Sequence, residues 1–243
     1  LLRTKRPNIL VVLMESFGGS LVESFGGVKG ASTNLDRLSK EGIWFTNCYA
    51  NSYRTDRGTV CTFSGYQSFP TLSVMKMPNK SRTLPSIAAE LRKQGYHTDF
   101  LYGGDINFTN MKSYLLESGY QHLTADVDFP VSQRKNAWGV NDDITFEWLY
   151  NKLKDRKDTP WHTAFLTLSS HEPFEVPYHK LDEKVPNAFA FTDNCLGQFI
   201  ERMKKTPLWN DLLVICLPDH GFYYPEEGNG HAARIHHIPM LWL

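Results

Sequence analysis

The sequence predicts an α/β protein: a doubly wound, mostly parallel central sheet with helices on both faces. Short apolar runs of strand length alternate with segments of helical period from one end of the chain to the other. The first of those runs, Ile9-Leu10-Val11-Val12-Leu13-Met14, is apolar throughout, which is the pattern of a strand buried on both faces. Several of them also stop at polar residues of chemical use, the first at Glu15 with Gly18-Gly19 close behind. The carboxyl ends of the strands are where open α/β sheets build their sites.

Taken in order, the first strand is followed by a polar start at 32–34 and leucines at 35 and 38, which predicts a short helix over 32–41. Residues 43–49 read as a strand, and after a polar turn a helix is expected over 57–63. Residues 84–94 form an amphipathic helix with Pro85 in its first turn, where a missing N–H costs nothing. The strand 97–102 ends in Gly103-Gly104-Asp105, and 108–118 is helical, closed by Gly119. Apolar spacing of three and four with a Lys-rich end predicts a helix over 144–154. A buried strand over 164–168 ends in Ser169-Ser170-His171. A helix over 189–204 and a strand over 212–217 complete the pattern, the strand ending in Pro218-Asp219-His220-Gly221. No repeat or linker interrupts it, so one domain over 1–243 is expected.

Composition narrows the function. Of 243 residues, 26 are basic and 26 acidic, so no net field draws nucleic acid or an anionic membrane. With 15 Phe, 11 Tyr and 6 Trp the chain can build a large core, and no apolar run reaches bilayer-spanning length. The chain starts abruptly at Leu-Leu-Arg-Thr-Lys-Arg and stops inside an apolar run, as a soluble piece cut from a longer protein would. Arg3, Lys5 and Arg6 suit a membrane-proximal linker or, equally, a solvated arm. Cys48, Cys61, Cys195 and Cys216 show no zinc-type pairing and no disulfide framework, and are expected to be small core residues.

If the sheet is parallel, Glu15, Asp105, His171, Asp219 and His220 collect along one edge. Carboxylates with imidazole make a ligand set suited to Mn²⁺, Zn²⁺ or Mg²⁺. Asp219-His220-Gly221 is the sharpest element, because the glycine permits a tight turn that aims both side chains at one point. The segment Arg54-Thr55-Asp56-Arg57-Gly58 lies between a strand and a helix start. Free N–H groups and the helix dipole favour an anion there, Thr55 offers a hydroxyl, and Arg54 and Arg57 are placed to clamp phosphate or sulfate. A capped turn carrying two solvated arginines fits that segment equally well.

Arg6-Pro7-Asn8-Ile9-Leu10 with Glu15-Ser16, the run from Thr33-Asn34-Leu35-Asp36 to Phe45-Thr46-Asn47, and Pro218-Asp219-His220-Gly221 resemble the sulfatase branch of the alkaline phosphatase superfamily. Met14-Glu15-Ser16, Arg54 to Gly58, and Ser169-Ser170-His171-Glu172-Pro173-Phe174 look most like its lipoteichoic acid synthase group, membrane-anchored phosphoglycerol transferases related to phosphoethanolamine transferases. The resemblance spans essentially the whole chain. It implies an alkaline phosphatase-like fold and one divalent metal ion, Mn²⁺ first, with Mg²⁺ or Zn²⁺ as alternatives, on Glu15, Asp219 and His220. Thr55 matches the nucleophilic threonine, which also touches the metal. His171 matches a histidine that contacts the head group, and Trp138 an aromatic residue of the glycerol-phosphate pocket. His237-Ile238-Pro239-Met240 resembles a later motif whose histidines can serve a second metal, but the group is similar to single-metal enzymes, which leaves a second ion near His231 or His237 an open question.

The implied partners are a phospholipid head-group donor and a polyol or glycan acceptor, at the extracytoplasmic face of a bacterial membrane through segments outside this chain. True sulfatases carry Cys-x-Pro-x-Arg; Cys61-Thr62-Phe63-Ser64-Gly65 lacks both the Pro and the Arg, so Cys61 is expected to be a buried helix residue. The expected reaction passes a phosphoglycerol-type group through phospho-threonine to a hydroxyl. A phosphodiesterase or sulfate-ester hydrolase of the same superfamily, and a non-catalytic binding domain, are the alternatives.

Overall fold

A computed structural model describes residues 4–225 and 232–243. Its centre is a seven-stranded sheet. In chain order the strands are β1 (Asn8–Met14), β2 (Ile43–Tyr49), β3 (His97–Tyr102), β4 (His122–Thr124), β5 (Trp161–Leu166), β6 (Leu212–Pro218) and β7 (His237–Trp242), and the spatial order is β2-β7-β6-β1-β5-β3-β4. The five strands from β6 to β4 run parallel, whereas β7 is antiparallel to both β6 and β2. The parallel, doubly wound core therefore agrees with the sequence. The antiparallel β7 falls in the apolar run 238–243, where no strand was expected, and β4 is too short to leave a periodic signal.

Helices cover both faces: α1 (Thr33–Leu38), α2 (Thr55–Ser64), α3 (Pro78–Ser81), α4 (Ile87–Lys93), α5 (Met111–Glu117), α6 (Asp142–Leu153), α7 (Lys184–Met203) and the short α8 (Ala233–His236). Strand β1 shows why both faces must be covered. Its alternate side chains Leu10, Val12 and Met14 pack with Leu35 of α1, Leu149 of α6, and Leu196 and Phe199 of α7. Val11 and Leu13 point the other way, to Val60 and Phe63 of α2, Ala88 of α4 and Leu115 of α5. With period-two burial on both sides, β1 must sit inside the sheet, which explains its continuous apolar sequence.

Several element ends differ from expectation. Helix α4 starts at Ile87, and Ser86 caps it by accepting the Ala89 N–H, so Pro85 precedes the cap instead of sitting in the first turn. Residues 108–110 form a separate turn with Thr109 and Asn110 at positive φ, and α5 begins only at Met111. Strand β5 lies three residues earlier than expected, and α7 begins five residues earlier, with Pro186 tolerated in its first turn. All four cysteines are free; Cys195 and Cys216 are buried, but Cys48 and Cys61 are only half-buried.

Candidate active site

Three of the expected residues meet where β1 and β6 end side by side. Glu15 follows β1 directly, and Asp219 and His220 follow β6. One ligand atom from each lies within 4.8 Å of the other two, and all three residues are buried. The His220 Nε2 is 3.4 Å from Glu15 Oε1 and 3.6 Å from Asp219 Oδ2.

The electrostatics of the cluster are those of tightly packed charges. Burial alone would raise the Glu15 pKa, but the His220 ring beside it reverses that and holds the carboxylate ionised. Asp219 is pushed up by burial and by the Glu15 charge. His220 is held in its protonated form by Asp219 and Glu15, against the opposing effect of burial. Asp219 Oδ1 accepts two backbone N–H groups, from Ser16 and His220, yet Oδ2 is buried with no hydrogen-bond partner among the described residues. A carboxylate oxygen without a hydrogen bond, facing a second carboxylate and an imidazole, is an environment that a cation would satisfy. Two hard oxygens and one imidazole nitrogen suit a divalent ion.

The supporting groups were not legible in the sequence. Ser16 takes a left-handed backbone, φ 58°, which lets its N–H reach Asp219 while its hydroxyl donates to Glu15 Oε1 at 2.7 Å and lies 3.3 Å from His220 Nε2. From the end of β5, Thr167 Oγ1 accepts the Glu15 N–H and Ser170 donates to the Glu15 carbonyl. Asp142, at the start of α6, accepts the Leu168 and Ser169 N–H groups and the Thr192 hydroxyl, pinning the loop that carries Ser170 and His171. Burial pushes the Asp142 pKa up to about 6.

Thr55 is the first residue of α2, two residues before the expected start; Arg54 caps the helix in extended conformation. A helix start leaves the Thr55 and Asp56 N–H groups without intrahelical acceptors. The Thr55 hydroxyl donates to Glu15 Oε2 at 3.2 Å, so the candidate nucleophile touches this buried cluster. This approach depends on Gly58, one turn along, because a Cβ there would fall 1.9 Å from the Asp219 carbonyl oxygen.

The cleft above these groups has a volume of about 420 Å³ and is lined by Glu15, Thr55 and His220 with Arg54, Trp138 and His171. His171 and Trp138 meet edge to face, ring centroids 5.0 Å apart. Both are pinned by the Glu172 carbonyl, which accepts from His171 Nδ1 at 2.8 Å and from Trp138 Nε1 at 2.6 Å. A carbonyl can only accept, so Nδ1 carries hydrogen and His171 Nε2 remains available.

Two expectations on position are corrected, and the place of a third residue, left open by the sequence, is given. Arg57 does not face the cleft: its guanidinium lies over the Tyr53 ring and donates to the Pro70 carbonyl. Helix geometry turns it roughly 200° from Thr55. Asp105 is exposed and binds Asn107, outside the cluster. The extra residues Gly103-Gly104 carry it past the sheet edge. His237 Nε2 meets the Thr46 carbonyl and its ring stacks on Phe25, away from the cluster, and His231 lies outside the described residues.

Comparison with known proteins follows the same lines. The Sulfatase family model matches residues 7–242. "Lipoteichoic acid synthase-like YvgJ" of Bacillus subtilis is 21% identical over 94% of this chain and 39% of its own length. "Phosphoglycerol transferase I" of Salmonella paratyphi B is 21% identical over 88% of this chain and 31% of its own length. The chain thus spans 31–39% of the length of these relatives. A crystal structure of an alkaline phosphatase superfamily protein from Vibrio parahaemolyticus matches with TM-score 0.90 and 31% identity, over 99% of this chain and 60% of that one.

Proposed function

The chain belongs to the sulfatase family, and from that premise we propose that it is the catalytic part of a metal-dependent transferase that moves a phosphoglycerol-type head group from a phospholipid to a polyol or glycan hydroxyl. The observation that carries this reading is the Thr55 hydroxyl bonded to Glu15 beside the orphaned oxygen of Asp219. Relatives named as lipoteichoic acid synthase-like and phosphoglycerol transferase support the head-group class. A sulfate-ester hydrolase reading is less well supported, because the chain lacks the Cys-x-Pro-x-Arg nucleophile sequence.

Glu15, Asp219 and His220 would hold one divalent ion, with Thr55 at its edge; Mn²⁺ is our first choice. Bound there, such an ion supplies Lewis-acid polarisation of the threonine hydroxyl and of the phosphate oxygens. The chain's own groups do the rest. Thr55 Oγ1 gives up its hydroxyl proton and forms a bond to phosphorus as the bond from phosphorus to the lipid alcohol oxygen breaks, and the leaving oxygen takes up a proton, so none is gained or lost overall. His171 Nε2 faces the cleft and orients the head group or delivers that proton. Arg54 and the helix start of α2 offset the charge on the phosphoryl oxygens. Trp138 supplies an apolar wall to the head group. In the second step an acceptor hydroxyl takes phosphorus from Thr55, which recovers its proton. The full-length protein would act at the extracytoplasmic face of a bacterial membrane; no helix among the described residues is long and apolar enough to cross one.

Thr55→Ala tests the reading: it should keep its metal by elemental analysis and lose head-group release from a fluorescent phosphatidylglycerol analogue. Release at the wild-type rate would sink the assignment.

A further inference from the structure

Asn141 holds the N-cap position of α6 in extended conformation, yet its side chain accepts no N–H from the first turn. Asparagine is among the best side-chain caps, so a cap left unused points to another commitment. That commitment is visible. The Asn141 side chain is buried, and its Oδ1 accepts from Asn136 Nδ2 at 3.1 Å and from the Ser169 hydroxyl at 3.4 Å.

Each of these partners holds a segment that reaches the cleft. Asn136, also buried, opens the tight turn that carries Trp138. Its Oδ1 accepts the Trp138 N–H at 3.0 Å, and its main chain exchanges two hydrogen bonds with Gly139. The far side of that turn has no slack, since a Cβ on Gly139 would fall 2.1 Å from the Gly103 carbonyl oxygen at the end of β3. Ser169 lies two residues before His171, and its hydroxyl accepts the Asp142 N–H at 2.8 Å. The His171 N–H closes onto the Leu168 carbonyl at 3.0 Å. The Asn141 carboxamide thus joins the Trp138 turn to the His171 segment from behind, while the Glu172 carbonyl joins the two rings in front.

The two sides are not held equally. Asp142 keeps residues 168–171 in place through the Leu168 and Ser169 N–H groups, whatever happens at Asn141. The Trp138 turn leans on Asn141 through Asn136, so it is the part that moves when the carboxamide is lost. We propose that Asn141 is a positioning residue that fixes the spacing of Trp138 and His171 and thereby selects the head group the cleft accepts. The inference rests on the transferase reading above, which sets both rings against the head group. Asn141 itself does not line the cleft, and among the described residues no hydrogen bond joins it to Thr55, Glu15, Asp219 or His220. Its loss therefore falls on discrimination between donors more than on the phosphoryl chemistry.

The test compares kcat/KM for the fluorescent phosphatidylglycerol analogue with kcat/KM for methyl p-nitrophenyl phosphate, whose transferred group carries only a methyl in place of glycerol. Loss of folded protein lowers both values together and leaves their ratio alone. Asn141→Ala should lower the ratio about tenfold, the size of one hydrogen bond lost from a buried polar group. Asn136→Ala cuts the same tie from its other end and should lower it at least as far. Asn151→Ala, exposed on the same helix, should leave it unchanged. An unaltered ratio in both Asn141→Ala and Asn136→Ala overturns the proposal and leaves the transferase reading standing. If the wild-type chain turns over neither phosphodiester, the transferase reading fails, and ¹⁹F NMR of protein labelled with 5-fluorotryptophan judges the spacing of the rings alone. The Trp138 resonance, assigned by its absence from Trp138→Phe, should shift on His171→Ala, and that shift should shrink severalfold when Asn141→Ala is already present. A shift of equal size in the two backgrounds, zero included, overturns the proposal.

Discussion

Gly58→Ala is a one-methyl change that separates metal binding from catalysis. The new Cβ would lie 1.9 Å from the Asp219 carbonyl oxygen and 2.6 Å from its carbonyl carbon, against 3.4 Å for ordinary contact. Both clashing atoms are backbone, so no side chain can swing aside; α2 must retreat from the end of β6 by roughly 1.5 Å. Thr55 rides on the same helix, one turn away, at 3.2 Å from Glu15 Oε2, and would leave hydrogen-bond reach. A nucleophile displaced by about 1 Å loses on the order of 10²-fold in rate. Overpacking costs about 1–3 kcal/mol, partly offset by the better helix propensity of Ala, about 1 kcal/mol. Glu15, Asp219 and His220 sit on strand ends outside α2, so the displacement falls mainly on Thr55. Expected, then, are turnover of the phosphatidylglycerol analogue reduced about a hundredfold, a modestly lower melting temperature and a Mn²⁺ affinity, by calorimetry, that falls far less than turnover does. Wild-type turnover in Gly58→Ala would refute the claim that the α2–β6 approach positions Thr55.

Two further predictions concern the support of the site and of the sheet. Ser16→Ala removes the hydroxyl that touches both Glu15 and His220, and should weaken Mn²⁺ binding by about 10–100-fold, read by calorimetry; unchanged affinity would mean that the ligands orient themselves. His162 is wholly buried between the Tyr120 hydroxyl and the Ile9 carbonyl, and burial lowers its pKa from 6.5 to about 4. Between these values the unfolded chain binds the extra proton, so this residue's contribution is intact above pH 6.5 and is lost as pH falls toward 4, by about 3 kcal/mol at most. His162→Gln should accordingly close its stability gap to wild type between pH 7 and pH 4 in urea titrations. A gap that stays constant with pH would remove His162 from the acid response.

Legibility followed physical period. Strands β1 and β6 were readable because they are continuous apolar runs, and the residues just past them made Glu15, Asp219 and His220 readable as a group. Thr55 could be placed near a helix start, but not at its first position, since Arg54 caps through backbone geometry and not through a side chain. Ser16 was invisible as a supporting residue because its role depends on a positive φ that serines seldom adopt. Gly58 gave no signal because its neighbour is the backbone of a strand 161 residues away in the chain. Arg57 misled for a simple reason: adjacency on the chain is not adjacency on a helix face. The pairing of β7 with both β2 and β6 depends on long-range register that apolar content does not encode.

The central claim is that Thr55 carries the transferred group. Mass spectrometry of protein acid-quenched during turnover of a phosphatidylglycerol donor tests it most directly. The account predicts a phosphoglycerol adduct on the peptide that contains Thr55, lost on adding acceptor and absent from Thr55→Ala. Product formation with Thr55 unmodified at every quench time, or an adduct on another residue, would contradict it.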